Sequence, residues 1–223
     1  SEMCIRDRSW VKDIMGLSLR NVEVSVISKN KLQAKQFGEM MFTHFGLTGP
    51  TILSLSHTVG KLLRKKNPQI TIEINLKPAL TAEVLDKRLQ KDFDLYSKKQ
   101  LANGMKDLLP VNLIPIVINL AELDPSKPIN QITKEERMRL CHVLQHMTLT
   151  VKELRPVAEA IVTAGGISLK EFSPKTMESK LVKGLYGAGE VLDIDAFTGG
   201  YNLQAAFSTG YVAAMHAVHG DEE

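Results

Sequence analysis

The order of hydrophobic patterns predicts a mixed α/β protein in which strands surround a helical block. Alternating apolar and polar residues, typical of half-buried strands, occupy the first third of the chain and return after residue 147. Between residues 79 and 147 the apolar positions recur with the period of a helix. A strand-like segment then leads through glycines into one C-terminal helix. The predicted order is strands, a helical insert, strands, and a final strand, loop and helix.

Composition predicts a globular chain with a hydrophobic core. Its 223 residues are 43% hydrophobic and 24% charged, enough for one domain or two small ones. The formal charge of +3 is scattered, apart from the basic segment KLLRKK at 61–66. We expect this segment to be a solvated helix end, with a phosphate or RNA contact as the alternative. A nucleic-acid partner is therefore not expected.

Cysteine content and hydropathy predict a soluble cytoplasmic protein. Cys4 and Cys141 allow at most one disulfide, which favours a reducing compartment. The sequence lacks an apolar run of about 18 residues, the length of a membrane span, and an apolar signal core. No membrane partner is expected.

The opening SEMCIRDR has no periodicity and joins abruptly to the amphipathic text after it. We interpret residues 1–8 as a non-native scar outside the fold. Cys4 would then have no structural role.

Strands and one helix are predicted before the helical block. NVEVSVIS, from residue 21, and QITIEINL, at 69–76, alternate as half-buried strands do. Between them, FGEMMFTHFGLTGPTILSLSHTVGKLL predicts a short strand, a turn at Gly46 to Gly49, and a helix with Pro50 in its first turn.

The block at 79–147 predicts several helices. Capping boxes are expected at Ser97 with Gln100 and at Thr133 with Glu136, and VNLIPIVINLAEL is expected to form an apolar helix or helix pair bent at Pro115. Because this block lacks glycine-rich turns and catalytic clusters, we expect it to cover an active site. The predicted buried faces are Val84, Leu85, Leu89 and Phe93 in its first helix and Met138, Cys141, Leu144 and Met147 in its last.

After the block, TLTVKEL at 148–154, EAIVTAGG at 159–166 and KGLYGAGEV at 183–191 predict strands, and Gly200 to His219 predict a helix. The glycines of GAGE allow a ligand to approach the backbone, and Glu190 suits a sugar or ribityl hydroxyl. Amides at the start of the helix, in TGGYN, suit an anion or a carbonyl. The alternative is a surface acid and a plain turn.

GLYGAGEVLDIDAFTGGYNLQAAFSTG resembles the C-terminal flavin-binding signature of the BaiN/aminoacetone oxidase-like family of NAD(P)/FAD-dependent oxidoreductases. VTAGGISLKEFSPKTMESKLVKGLY and GEMMFTHFGLTGPTILSLS are similar to other motifs of that family, in consistent order over 9–219. The family implies a Rossmann-like FAD-binding domain interrupted by a β-barrel domain with a helical insert. On that plan 9–78 and 148–165 form the barrel, 79–147 the insert, and 166–223 the C-terminal segment of the FAD-binding domain.

The family's N-terminal glycine-rich turn, which holds the FAD pyrophosphate, has no counterpart in this sequence. We therefore expect a C-terminal fragment, inactive alone, whose partner is the missing N-terminal half of the FAD domain. The implied function is hydride passage between a small organic substrate and FAD, with NAD(P)H or oxygen as the second redox partner. A tRNA-modifying flavoenzyme and a non-catalytic flavin-fold fragment are the alternatives.

The resemblance implies cofactor contacts in three segments. A loop contact near the flavin ring is expected from Asp193, with a solvated loop acid as the alternative for it and for Asp195. The implied contacts are Gly187, Ala188, Gly189 and Glu190 along the ribityl chain; Thr198, Gly199, Gly200, Tyr201 and Asn202 at the pyrimidine edge; and Thr163, Gly165 and Gly166 beside the flavin or substrate. For the segment at 163–166 the alternative is a turn that ends a strand.

Histidines supply the remaining candidates. His44 lies in a family-like motif and is the candidate catalytic residue, to orient substrate or relay a proton; a buried histidine that fixes the Gly46 turn is the alternative. His142 and His146 are spaced as metal ligands, but no third ligand motif accompanies them, so no metal is expected. Cys141 is expected to be inert core.

Overall fold

The computed structural model describes residues 1–6, 9–66, 68–160, 163–196 and 199–219. It divides the chain into two compact units, Glu2–Arg155 and Pro156–Glu223, with Ser1 assigned to the second. The sequence placed the corresponding boundary later, after residue 165, whereas the last barrel strand ends at Leu154.

The first unit is built on a closed barrel of six strands, in the order β1, β4, β3, β2, β5, β6. All neighbouring strands are antiparallel. The alternating residues of β2 and β5 point into the core, where Val24, Val26, Ile72 and Ile74 are fully buried. The predicted barrel with a helical insert is therefore confirmed. The strands are β1 (Met3–Ile5), β2 (Ser18–Ser28), β3 (Lys31–Phe42), β4 (Gly46–Thr48), β5 (Ile70–Asn75) and β6 (Met147–Leu154).

β1 closes the barrel, so the prediction that residues 1–8 lie outside the fold is wrong for this strand. Met3 pairs with Leu47 of β4 on one side and with Leu154 of β6 on the other. Its side chain is 0% exposed and belongs to the main hydrophobic core. A strand of three residues is too short to display a period, which explains why its sequence looked unstructured.

The predicted turn at Gly46 to Gly49 contains β4 and ends at α1. The Thr43 N–H donates to the Gly46 carbonyl at 2.8 Å, and the Gly46 N–H donates to Thr43 Oγ1 at 3.1 Å. A Cβ atom at Gly46 would lie 2.2 Å from the Met3 carbonyl oxygen, so the close approach of β1 requires glycine. Pro50 is in the first turn of α1 (Pro50–Leu63), as predicted.

The helical insert lies between β5 and β6 in the chain. Its α-helices are α2 (Ala82–Leu95), α3 (Leu101–Gly104), α4 (Ile114–Leu120) and α5 (Lys134–Gln145). The capping box of Thr133 and Glu136 is confirmed at the start of α5. Arg137 Nε donates to Asp86 Oδ1 at 2.6 Å and joins α5 to α2; this hydrogen bond lowers the pKa of Asp86.

Two details of the insert differ from the sequence prediction. The Ser97 and Gln100 box is wrong, because Gln100 itself is the N-cap of α3 and makes no side-chain cap bond. The segment around Pro115 forms two helices, as one alternative had it: a 3₁₀ helix at Val111–Leu113 is followed directly by α4, with Pro115 in its first turn. Val84 and Met138 are 48% and 43% exposed, because tertiary contacts turn other faces of α2 and α5 inward.

The second unit has one long helix, α6 (Tyr201–His219), as predicted, but not the predicted strands. Residues 163–166 are exposed without regular structure, and 161–162 lie outside the described residues. At 183–191 only an isolated bridge, between Glu178 and Tyr186, and a 3₁₀ turn occur. Gly184 and Gly189 have φ of 79° and 71°, which interrupts an extended chain. Among the described residues of the second unit, Phe172, Met177, Leu192 and Ala213 form a small buried hydrophobic cluster.

Short 3₁₀ helices join these elements. They cover Ser9–Ile14, Val111–Leu113, Ile129–Gln131, Val157–Glu159, Leu169–Glu171 and Gly189–Val191. Among the described residues, no helix combines the length and the hydropathy required to cross a lipid bilayer.

Replacing Met3 with alanine tests whether β1 belongs to the fold. We expect Met3→Ala to lower the free energy of unfolding by about 2–5 kcal/mol, the usual cost of truncating a buried methionine. Glu2→Ala is the control, because its side chain lies outside the core, and should change stability by less than about 0.5 kcal/mol. Urea unfolding followed by circular dichroism measures both. Equal stability of the two variants would place β1 outside the cooperative unit.

Candidate functional site

The GAGE segment lies against α6. The Gly189 N–H donates to Thr209 Oγ1 at 3.0 Å, and the Thr209 hydroxyl donates to the Ala205 carbonyl at 2.7 Å. A Cβ atom at Gly187 would lie 2.7 Å from the Phe172 ring. Gly187 is therefore needed for packing within the protein, while Gly189, at φ 71°, shapes the turn that presents the exposed Glu190.

The segment at 163–166 reaches the chain that follows Glu190. The Ile167 N–H donates to the Val191 carbonyl at 2.8 Å, and the Asp193 N–H donates to the Ile167 carbonyl at 2.9 Å. A Cβ atom at Gly166 would lie 2.6 Å from the Val191 carbonyl oxygen, so only glycine fits this approach. The structure thus brings Gly166 and Asp193 together, with Thr163 and Gly165 exposed ahead of them.

Two glycines with positive φ precede α6. Gly199 and Gly200 have φ of 117° and 93°, and no atom of the described residues lies within 4 Å of a Cβ placed at Gly200. Asn202 holds the preceding loop: its Oδ1 accepts from the Ala196 N–H at 2.9 Å and its Nδ2 donates to the Ala196 carbonyl at 3.0 Å. Both polar atoms of the Asn202 side chain are therefore hydrogen-bonded within the protein, and its backbone N–H is the group that would donate to a ligand. Tyr201 is 64% exposed, and Thr198 lies outside the described residues.

The two glycine regions contact different parts of α6. Thr209 accepts a hydrogen bond from Gly189, and a Cβ placed at Gly189 would lie 3.9 Å from Ala206. Ala206 and Thr209 follow the first residue of the helix by five and eight positions. At a rise of 1.5 Å per residue, the contact lies roughly 8–12 Å along the axis from the helix start. A ligand that contacts both regions must extend over about this distance.

Thr209 and the amide of Asn202 are positioning residues that the sequence did not reveal as such. Thr209 bonds the carbonyl four residues earlier, a common pattern for threonine in a helix, while its oxygen also accepts from Gly189. The signal for Asn202 is its place next to the helix start, where asparagine favours backbone hydrogen bonds. Its partner, Ala196, depends on the loop path and has no sequence signature.

His44 belongs to the first unit and is exposed, so the alternative of a buried, turn-fixing histidine is wrong. Thr43 fixes the Gly46 turn instead. The His44 ring meets Phe45 edge-on at 4.9 Å between centroids, and the Arg155 guanidinium lies 4.6 Å from the centroid of Phe45. An exposed imidazole supported by an aromatic ring is available for proton transfer, and that role stays a prediction.

His142 and His146 lie next to each other, and Cys141 is buried. His142 and His146 are 4.9 Å apart between ring centroids, and His146 Nδ1 lies 3.1 Å from Glu73 Oε2. Within the ranges that the structure describes, no group of three or more His, Cys, Asp or Glu side chains is arranged to hold a metal ion. Burial raises the pKa of the Cys141 thiol to about 11, so this thiol is protonated and unreactive at neutral pH.

Comparison with known proteins identifies the family. The sequence model of the HI0933-like protein barrel and H2TH domain matches residues 3–162, most of the chain. The chain belongs to the HI0933-like family of FAD-dependent oxidoreductases. The match begins at Met3, in agreement with the place of β1 in the barrel.

Curated relatives of this HI0933-like chain are oxidoreductases of two kinds. A 3-dehydro-bile acid delta(4,6)-reductase from Clostridium scindens is 27% identical over 197 residues, which is 88% of this chain and 48% of the relative. Ribosomal RNA dihydrouridine synthases from Haemophilus influenzae and Escherichia coli are 32% and 29% identical over 179 residues, or 80% of this chain and 42% of each relative. The chain spans about half the length of the curated relatives it matches.

Gly166→Ala tests the close approach between the two glycine-rich segments. The added methyl group would collide with the backbone at Val191 to Asp193, so we expect the amides of Ile167 and Asp193 to lose hydrogen-exchange protection by about tenfold or more. Gly165→Ala is the matched control, because its φ of 106° imposes backbone strain while the described structure leaves its Cβ position open. Unchanged protection of both amides in Gly166→Ala would contradict the approach.

Proposed function

We propose that this HI0933-like chain supplies the barrel, the helical insert and the C-terminal part of a Rossmann-like FAD-binding domain to a flavin-dependent oxidoreductase. Hydride would pass between a small organic substrate and the flavin, with NAD(P)H or oxygen as the second redox partner. The observation that carries the proposal is the arrangement of two glycine-containing segments along one helix: Gly187–Glu190, which ends in the exposed Glu190, and Gly199–Asn202, where a Cβ at Gly200 would meet no described atom within 4 Å.

The residues present fit FAD by their chemistry. FAD supplies the hydride chemistry when bound, and the protein positions and tunes it. The Gly200 and Tyr201 amides, at the positive end of a 19-residue helix, would stabilise negative charge on an electron-rich carbonyl. The exposed carboxylate of Glu190 would accept a hydrogen bond from a ribityl hydroxyl. Gly166 and Asp193 would border the same ligand, because the Asp193 N–H donates to the carbonyl of Ile167, the residue that follows Gly166.

An apolar face of α6 supports the proposal that the FAD-binding domain has a further layer. Leu203, Phe207, Tyr211 and Val218 are 62%, 71%, 68% and 77% exposed and recur at helical spacing on one side of α6. Asn202, Thr209 and Ala213 lie on the opposite side. An apolar helical face of this length is typical of a helix that packs on a sheet. We assign its cover to the N-terminal half of the FAD-binding domain.

RNA is the second candidate substrate. Two of the curated relatives are ribosomal RNA dihydrouridine synthases, and one is 32% identical over 80% of this chain, compared with 27% for the bile acid reductase. The flavin chemistry is the same in kind, because both relatives are named for reactions that reduce a carbon–carbon double bond. The candidates differ only in what presents that bond to the flavin. His44 would serve either one as the proton donor.

Flavin binding tests the proposal. We expect the 223-residue chain to bind FAD weakly, and a chain extended at its N-terminus to the length of the relatives to purify with FAD. In the extended chain, Glu190→Ala should weaken FAD binding by roughly 1.5–3 kcal/mol, the range for a hydrogen bond to a charged group. Titration calorimetry measures the affinity.

Glu171→Ala is the control, because Glu171 is exposed in the same unit and outside the proposed site. Equal FAD affinity of the two variants would remove the role assigned to Glu190. Failure of the extended chain to bind FAD would leave the non-catalytic alternative.

Substrate discrimination separates the two candidates. With NADPH or NADH as electron source, we expect the extended, flavin-loaded protein to add two hydrogen atoms to its preferred substrate. A steroid enone and an unmodified ribosomal RNA fragment are compared, by absorbance and by mass spectrometry of the nucleosides. His44→Ala should lower turnover by about 10²–10⁴-fold, the usual contribution of a general acid, without loss of flavin. Unchanged turnover would exclude His44 as the proton donor.

A further inference from the structure

One end of the barrel is formed by the turn between β2 and β3. Ser28, the last residue of β2, pairs with Lys31 across this turn and with Ile70, the first residue of β5, on its other edge. Lys29 and Asn30 have φ of 52° and 58°, the conformation that a two-residue hairpin loop of this kind requires. The turn therefore projects Lys29 beyond the strands at the end where β5 begins.

Two further cations reach this end from other strands. Arg6 follows β1, and its backbone N–H donates to the Thr150 carbonyl of β6 at 3.0 Å. Lys152 follows Thr150 by two residues in β6. The three cations converge on a cavity of about 400 Å³, within the range of about 300–1,000 Å³ typical of ligand sites. Its lining is Arg6, Lys29, Leu63, Pro68, Gln69, Val151 and Lys152.

The C-terminal end of α1 adds more positive charge at the same cavity. Leu63 and Pro68 both line it, and the chain between them carries the exposed Arg64, Lys65 and Lys66. In the part of the chain that the structure describes, Lys152 has an ion pair, with Glu153 at 3.0 Å, whereas none is found for Arg6, Lys29 or Lys66. A favourable interaction with the helix dipole accounts for a cation in the last turn of α1, but not for Arg6, Lys29 and Lys152, which come from the barrel.

We propose that this basic barrel end, formed by Arg6, Lys29, Arg64–Lys66 and Lys152, binds the phosphate backbone of RNA. Cations from separate chain segments, spread around a cavity and along a helix end, match a chain of phosphates. Aromatic side chains, which would stack on bases, are not among the lining residues, so recognition is through the backbone and independent of sequence. The proposal rests on the second candidate function and names the surface that would hold its substrate.

RNA binding by the 223-residue chain tests the surface without flavin or turnover. Fluorescence anisotropy with a labelled single-stranded RNA, over a series of salt concentrations, gives the affinity and its salt dependence. We expect the triple variant Lys29→Gln, Lys66→Gln, Lys152→Gln to bind at least about tenfold more weakly. The slope of log affinity against log salt should fall in magnitude by about 2, because each phosphate contact with a single strand contributes about 0.7.

The matched control neutralises three exposed lysines of the helical insert, as Lys87→Gln, Lys91→Gln, Lys106→Gln. It has the same net charge as the test variant and should bind RNA within about twofold of the unmodified chain. Thermal melting by circular dichroism checks that both variants remain folded, as expected for exposed positions.

The proposed RNA-binding role would be refuted if the unmodified chain did not bind RNA, or if the test and control variants were weakened equally. Equally tight binding of polyglutamate would also refute it and would assign this end to acidic proteins. Loss of binding in the test variant, together with an extended enzyme that reduces the steroid enone but not RNA, would support the surface and refute the RNA substrate. RNA reduction that is unchanged by the test substitutions would refute the surface and leave the RNA substrate standing.

Discussion

The barrel depends on the hydrogen bonds that β1 makes on both of its edges. This strand of three residues pairs with β4, itself only three residues long, and with β6. The two short strands complete a ring that the longer strands β3, β2, β5 and β6 leave open. Closure gives each strand two partners, which removes unpaired N–H and C=O groups at sheet edges. This closure requires glycine at position 46, because any side chain there would collide with the Met3 backbone.

Hydrogen bonds join the start and the end of the helical insert to each other, next to the barrel strands β5 and β6. The Leu76 N–H, just after β5, donates to the Leu144 carbonyl near the end of α5 at 2.9 Å, and Gln145 Nε2 donates to the Leu80 carbonyl at 2.7 Å. Lys77 Nζ donates to the Leu108 carbonyl at 2.8 Å, and burial lowers the pKa of this lysine. Barrel and insert also share one hydrophobic core. Because the insert shares a core with the barrel, its packing adds to the barrel's stability.

Local signals in the sequence predicted the elements that depend on local physics. The alternation in β2 and β5 reflects one face in the core, and the box at Thr133 and Glu136 needs only a helix start. Contacts between distant segments escaped prediction. β1 exists through its pairing with strands far along the chain, and the spacing at Ser97 and Gln100 imitates a capping box although the helix starts one turn later. Likewise, the glycines at 166 and 187 lie against Val191 and Phe172, contacts that no spacing in the sequence specifies.

The two sides of α6 differ in what they offer to the rest of the molecule. Burial of Leu203, Phe207 and Tyr211 would contribute several kcal/mol in total, at about 1.5–3 kcal/mol for a large apolar side chain. The opposite side meets the GAGE turn, where Thr209 accepts from the Gly189 N–H, and carries the buried Ala213. The free backbone N–H groups of α6 lie in its first turn. An apolar face suits a protein layer, because removing apolar surface from water is favourable. Glycine-rich turns beside a helix start suit a polar ligand, because backbone amides can donate hydrogen bonds to it. In the described residues, the hydrophobic core of this unit is small, with Phe172, Met177, Leu192 and Ala213 as its buried members. The proposed protein layer and ligand would each bury part of the surface around it.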